Sequence, residues 1–462
     1  MSESVYQIIE KSAASWPGHV AIRDARGTLT YSQLQTEIEE LKTSLRSQGI
    51  NPGMGVGVMG QNSREFIITA FAVLGCGACV MPMSQQLQRD EVETIVNRAG
   101  LHAILNEQDN WKLTLTRIER DNKFAGMVEN PAFVRFTSGT TGASKGVVIS
   151  GESVIERIEA ANKALLLSSE DVVIWVLPMS FHFIVSIVLY LNVGATIAIC
   201  PDFTAESILD CCIKNEGTML YAAPMHVKLL ATDQSKQNMP SMRTVISTSS
   251  GISLEDCMAF KERYGISITQ AYGIIEVGLP LINTIENLNN PDAIGHALPD
   301  FNVEILNEQL EVQQAGEIGQ LAMKGPGMFS AYLSPESTIE EVLQNGWFLT
   351  GDLAIKDAHG LVKITGRQNS VINVSGNKVF PEEVEHVLNS NKAVEISKVY
   401  GARHALLGEV VQAEVVLVEG LAIDQEELYA YCTERLSIFK VPKKFEFVSS
   451  LKMTGSGKVS RA

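Results

Sequence analysis

The sequence predicts an α/β protein built from more than one domain. Three observations carry that prediction. Apolar runs of strand length alternate with helical patterns along most of the chain, the pattern of mixed α/β sheets. After Asp300 the texture changes to short strands and turns, which marks a small β-rich subdomain. The chain has 462 residues, more than one core usually supports, and the helix–strand pattern restarts beyond Asn369 as a small α+β region.

The elements follow in order. Residues 1–15 have an amphipathic helical pattern with no basic-then-apolar leader. Residues 65–74 read as a helix that runs into Cys76-Gly77-Ala78-Cys79. The flanks of that CxxC are apolar and no second pair lies nearby, so it reads as small buried residues at a helix end rather than a metal or redox site. Residues 133–136 and 147–149 read as strands on either side of a polar loop. Residues 172–191 are apolar enough to raise the question of a membrane span. Pro178, Ser180 and His182 interrupt the centre, and an ionisable group is costly in lipid, so a buried strand, a turn and a buried helix are expected instead. Strands are expected at 196–200, 244–246 and 266–270, with a helix at 254–264. The β-rich stretch shows strands at 303–305, 316–319 and 361–364. A helix at 381–389, strands at 394–400 and 410–418 and a helix at 425–435 complete the chain. We place domains at 1–366 and 370–462, joined at 367–369.

Composition narrows the function. Hydrophobic residues at 45% and charged residues at 19% describe a soluble globule, and a net charge of −16 argues against nucleic-acid binding, which needs a basic face. Any polyanionic ligand must therefore be drawn by local donors. Seven cysteines, an odd number in a long chain, fit reduced thiols in a cytoplasm.

Phe136-Thr137-Ser138-Gly139-Thr140-Thr141-Gly142-Ala143-Ser144-Lys145-Gly146-Val147 is the most informative run. Its glycines let backbone N–H groups turn toward a polyphosphate, while hydroxyls and Lys145 add donors and a positive charge. No Gly-Lys-Ser/Thr closes it, so it is not the usual P-loop. Downstream lie Gln270-Ala271-Tyr272-Gly273-Ile274-Ile275-Glu276, then Gly346-Trp347-Phe348-Leu349-Thr350-Gly351-Asp352, then Gly366-Arg367-Gln368-Asn369. Last comes Lys452-Met453-Thr454-Gly455-Ser456-Gly457-Lys458.

In this order the segments resemble the acyl-adenylating, AMP-forming enzymes: acyl- and aryl-CoA ligases, stand-alone adenylation domains and luciferases. The likeness runs from Leu29-Thr30-Tyr31 to the C-terminus. It implies a large N-terminal adenylation domain and a small mobile C-terminal domain. The implied reaction attacks the α-phosphate of ATP with a carboxylate, releases pyrophosphate and passes the acyl group to a thiol. The thiol is that of CoA or of a carrier-protein phosphopantetheine. The chemistry is positioning plus electrostatics, because two anions must be held together while pyrophosphate leaves.

The resemblance also assigns roles. Thr137, Ser138, Gly139, Thr140, Thr141 and Gly142 would wrap the β- and γ-phosphates with Lys145 in support. Tyr272, followed by Gly273, would stack on adenine, and Glu276 would hold Mg²⁺. Asp352 would accept the ribose hydroxyls with Arg367 beside it. Lys458 would bridge the carboxylate and the α-phosphate. Asn369 would be the hinge, and Gly376 and Lys440 would face the thiol. His182, Phe183, Ser186, Tyr221, Ala271 and Leu279 would line the acyl pocket. His182 stands where amino-acid-activating members carry an aspartate, which argues against an α-amino acid and leaves an aryl acid or a short-to-medium acyl chain.

The pattern has three departures. Ile275 replaces the usual threonine beside the α-phosphate, Asn369 replaces a charged hinge residue, and Thr248-Ser249-Ser250-Gly251 replaces a Gly-Gly turn. These leave a homologue with weakened catalysis as a lesser reading.

Overall fold

The computed structural model describes residues 4–116, 126–136, 145–283, 290, 293–374, 377–404, 408–453 and 459–460. The chain divides into two compact units. One takes residues 1–138, 144–302 and 324–346, and the other takes 139–143, 303–323 and 347–462. This division differs from the expected 1–366, 367–369 and 370–462, because the β-rich segment groups with the C-terminal region. The reason lies in local packing: strand Val362–Arg367 contacts helix Pro381–Asn389, and the space over Gly366 is closed by Phe380 and Glu382.

The first unit contains two large mixed sheets. In the nine-stranded sheet, Ile268–Ile274, Thr244–Ser247, Met219–Ala222, Val172–Trp175, Thr196–Ile199 and Val20–Asp24 are parallel neighbours in that order. Such strands are covered on both faces, which is why they read as apolar runs rather than as alternating ones. In the eight-stranded sheet, Pro131–Phe136, Cys79–Ser84, Gly55–Gly60 and Ala103–Asn106 are the parallel neighbours. Strand Gly146–Ser150 pairs antiparallel with Pro131–Phe136, Gly146 opposite Phe136, so the polar loop does cap a hairpin.

The expected helix near 65–74 is Arg64–Gly75, started by Ser63, whose hydroxyl accepts the Phe66 N–H at 3.2 Å. Cys76 and Cys79 are fully buried just past its end, and burial pushes both thiols up, which suits inert packing groups. The apolar stretch from 172 forms strand Val172–Trp175, a short helix Met179–His182, a π-helical turn Phe183–Ile187 and helix Val188–Asn192. Among the described residues no helix is long and apolar enough to cross a membrane.

In the second unit Asn302–Leu306, Gly319–Lys324, Phe348–Lys356 and Val362–Arg367 form a four-stranded sheet. Residues 316–318 are not a strand: the Gly316 φ of +87° makes a turn, and the strand starts at Gly319. Beyond it Val394–His404 and Gly408–Leu417 form a long antiparallel pair, flanked by Ile372–Val374, Asn377–Val379 and Lys444–Phe447. Helices Pro381–Asn389 and Gln425–Thr433 close the core through Val384, Leu388, Leu428 and Cys432.

Candidate active site

In the first unit strand Ile268–Ile274 runs four residues past the expected end at 270 and carries Tyr272 and Gly273 on it. Tyr272 is half-buried and pairs with Leu281 in register. Gly273 is required by backbone approach: a Cβ there would lie 2.8 Å from the Gly278 carbonyl oxygen. The turn that follows presents Glu276, whose carbonyl oxygen accepts the Phe329 N–H at 2.7 Å.

Groups from other elements surround this turn. Tyr332 donates its hydroxyl to Glu276 Oε1 at 3.1 Å, and the Lys145 ammonium lies 4.4 Å from the centre of the same ring. Arg157, fully buried in helix Gly151–Leu165, donates to the Ile275 carbonyl at 3.1 Å. It also clasps the Gly327 carbonyl through Nε at 2.8 Å and through Nη2. Its neighbour Glu156 accepts the Gly327 N–H at 2.8 Å. Gly327 has a φ of +65°, and a Cβ there would meet the Ser153 carbonyl oxygen at 2.4 Å, so only glycine fits.

The electrostatics are those of a desolvated carboxylate among cations. Burial raises the Glu276 carboxyl above its ordinary range, opposed by its own backbone N–H, the Tyr332 hydroxyl and the charges of Lys145 and Arg135. Burial pulls the Arg135 and Arg157 guanidiniums down to about 10, with the Glu276 charge acting the other way. Both therefore remain charged at neutral pH. Glu276 offers one half-buried carboxylate, an oxygen ligand of the kind Mg²⁺ takes where phosphate oxygens and water complete its shell.

The residues expected in the acyl pocket separate into two groups. His182 stands edge-on to Trp175 and Tyr221, with ring centres 6.5 and 6.3 Å away, and Trp175 stacks on Tyr221 at 6.2 Å and 9°. His182 Nε2 lies 3.4 Å from Ser249 Oγ. Ser249 takes a φ of +78°, so the Thr248-Ser249-Ser250-Gly251 turn keeps a glycine-like backbone while adding a hydroxyl toward the imidazole. Phe183 differs: it is 1% exposed and packs among Phe66, Phe71 and Phe133 as a core anchor. Ser186, Ala271 and Leu279 are buried, and Ser186 bonds the Tyr190 hydroxyl.

In the second unit Asp352 and Arg367 are cross-strand partners, with Arg367 Nε 3.0 Å from Asp352 Oδ1. The Asp352 N–H donates to Thr350 Oγ1 at 3.0 Å across Gly351, whose φ of +77° marks an irregularity within strand Phe348–Lys356. Asn369 is exposed in a one-turn 3₁₀ helix, Gln368–Ser370. Lys440 makes a two-pronged ion pair with Glu383 at 2.6 and 2.7 Å. Residues 137–142, Gly376 and Lys458 lie outside the described residues.

With this geometry in place, comparison with known proteins decides the family. The family model described as AMP-binding enzyme matches residues 9–333, and the AMP-binding enzyme C-terminal domain matches 383–458. The chain belongs to the AMP-binding enzyme family. It is similar to a feruloyl-CoA synthase of Amycolatopsis sp, 26% identical over 96% of this chain and 94% of that one. It is also similar to an indoleacetate–CoA ligase of Aromatoleum aromaticum, 26% identical over 98% and 96%. The ATP-bound MatB of Rhodopseudomonas palustris has the same fold, with a TM-score of 0.88 at 24% identity over 99% of this chain and 98% of that one. This AMP-binding enzyme is thus an AMP-forming acid–thiol ligase with a large N-terminal and a small C-terminal domain.

Sequence motifs did not point to Tyr332, Arg135, Arg157 or Trp175 in this ligase, whereas Ser249 lies in the turn already noted as a departure from the family pattern. For Arg157 a signal exists: Val154, Arg157, Ile158 and Ala161 fall on one helical stripe, and all are buried. Tyr332 has no such signal, because the three-residue strand Ala331–Leu333 is too short for any period.

Proposed function

We propose that this ligase activates an aryl or arylalkyl carboxylic acid with ATP and Mg²⁺ and transfers the acyl group to CoA. The observation that carries the acid class is the half-buried His182, edge-on to Tyr221 and backed by the fully buried Trp175, an aromatic surround that suits a planar ring. The feruloyl and indoleacetyl substrates named for the two relatives support the same class. Ile438-Phe439-Lys440-Val441-Pro442 supports CoA over a carrier-protein phosphopantetheine as acceptor.

The residue roles are those that the resemblance to the AMP-forming enzymes implies, and the chemistry supports them. Lys145 and the 137–142 loop neutralise the departing pyrophosphate, and Tyr272 supports the adenine. Glu276 holds Mg²⁺, which supplies charge neutralisation on the phosphates when bound. Asp352 accepts the ribose hydroxyls while Arg367 steadies its carboxylate. Lys458 follows the charge that develops between carboxylate and α-phosphate, a task for a flexible ammonium. The segment after 369, with Asn369 as hinge, then brings Gly376 and Lys440 to the thiol step.

Pyrophosphate release should be measured with cinnamate-type, arylacetate and straight-chain acids, with CoA or a phosphopantetheinyl carrier as acceptor. Aryl acids should give the highest kcat/KM, with CoA as the acceptor. A preference for straight-chain acids would overturn the acid class, and thioester formed only on the carrier would overturn the acceptor.

A further inference from the structure

We propose that Tyr332 is a positioning residue of this ligase, one phenol that holds Glu276 through its hydroxyl and Lys145 through its ring. The inference rests on the reading above, in which Glu276 meets Mg²⁺ and Lys145 meets the pyrophosphate of ATP.

The geometry makes Tyr332 a fixed post. Strand Ala331–Leu333 pairs antiparallel with Gly146–Ser150, Tyr332 opposite Val147, so the phenol is tied to the strand that leaves the phosphate loop. Its ring packs at 4.6 Å on Phe329, whose N–H holds the Glu276 backbone at 2.7 Å. Tyr332 is 4% exposed, so its side chain has little freedom. From this post the hydroxyl donates to Glu276 Oε1 at 3.1 Å and the ring face receives the Lys145 ammonium at 4.4 Å. The two contacts have different chemistry. The hydroxyl aims a carboxylate and leaves its other lone pairs for a cation. The ring quadrupole steadies an ammonium without neutralising it, so the charge remains available to a phosphate.

The two contacts can be separated by substitution. Tyr332→Phe removes the hydroxyl and keeps the ring, whereas Tyr332→Leu removes both. ATP binding without any acid is measured by calorimetry in Mg²⁺ and in EDTA, with Mn²⁺ binding to the enzyme–ATP complex followed by electron paramagnetic resonance. Tyr332→Phe should weaken Mn²⁺ binding and Mg²⁺-dependent ATP affinity roughly 10- to 100-fold, as loss of one hydrogen bond to a charged group does, and leave ATP affinity in EDTA unchanged. Tyr332→Leu should weaken ATP binding in EDTA as well. Glu276→Gln should weaken Mn²⁺ binding, and adding Tyr332→Phe to it should have no further effect.

Wild-type metal and ATP binding in Tyr332→Phe, alongside a weakened Glu276→Gln, would overturn the role of Tyr332 and leave the proposed function standing. Wild-type Mn²⁺ binding in Glu276→Gln would overturn the reading of Glu276 and this inference with it.

Discussion

Asp352 and Arg367 sit opposite each other on neighbouring strands, Nε 3.0 Å from Oδ1, although 15 positions separate the two motifs that carry them. The Asp352 side chain is 7% exposed, while the Arg367 side chain keeps 42% of its surface. The arginine thus orients an acceptor that is already buried and bonded into a strand. Asp352→Ala should weaken ATP binding by roughly 10- to 100-fold, the scale of losing about 1.5–3 kcal/mol from hydrogen bonds to a charged group. Arg367→Ala should cost less. Titration with ATP checks both, and equal losses would show that Arg367 contacts the nucleotide as strongly as Asp352 does.

Arg157 carries the turn before Glu276 and the Gly327 turn at once. Arg157→Met fills similar volume but leaves a buried and a part-buried carbonyl without this donor. It should lower unfolding stability by about 2–4 kcal/mol in a urea titration. Arg157→Lys should recover part of that, because one ammonium can reach one carbonyl. A change below about 0.5 kcal/mol would mean that water or another donor satisfies these carbonyls.

The parts of this ligase that were legible in its sequence are those with a local cause. Helix Pro381–Asn389 matches its expected span because Pro381 starts it and Glu382 and Glu383 favour its first turn. The parallel strands were legible as apolar runs. Strand Ile268–Ile274 outran its expected end because pairing with Gly278–Ile282, a tertiary effect, extends it over Tyr272 and Gly273. In the site, motif residues such as Glu276 and Asp352 were legible, and their supports were not. Tyr332 acts through a contact 56 positions away in sequence, which no local pattern encodes, and the turn of Ser249 was legible while its contact with His182, 67 positions away, was not.

His182 offers a test of substrate choice. Its Nε2 meets Ser249 and its ring meets Trp175 and Tyr221, so His182→Ala opens one side of the aromatic wall. Relative kcat/KM among acids should change by more than ATP affinity does, because only the acyl side loses a contact. An unchanged ranking with lower stability would make His182 a packing residue.

Ile275 gives a gain-of-function test. If its missing hydroxyl is uncompensated, Ile275→Thr should raise the adenylation rate by a factor equivalent to about 1–3 kcal/mol. The backbone supports this swap, since Arg157 holds the carbonyl of residue 275 and not its side chain. A fall in rate would show that the isoleucine shapes the site.

His226 predicts a pH effect on stability. It is 5% exposed, its Nδ1 accepts the Ala223 N–H at 3.0 Å, and burial lowers its pKa below 6.5. The unfolded chain therefore binds the proton more readily than the folded one. Its contribution is complete above about pH 6.5 and is lost as pH falls from there through the folded-state pKa. His226→Asn keeps an acceptor but does not titrate, so its stability should vary less with pH across that window. Chemical denaturation at several pH values checks this, and parallel profiles for variant and wild type would contradict it.

The most direct test of the account is acid-dependent pyrophosphate release, with acyl-AMP and acyl-CoA quantified in the same reaction for wild type and Lys458→Ala. Wild type should release pyrophosphate with an aryl acid, accumulate acyl-AMP without CoA and convert it to thioester when CoA is added. Lys458→Ala should lose the first step yet still form thioester from supplied acyl-AMP. Absence of acid-dependent pyrophosphate release from wild type across aryl and aliphatic acids would contradict the account.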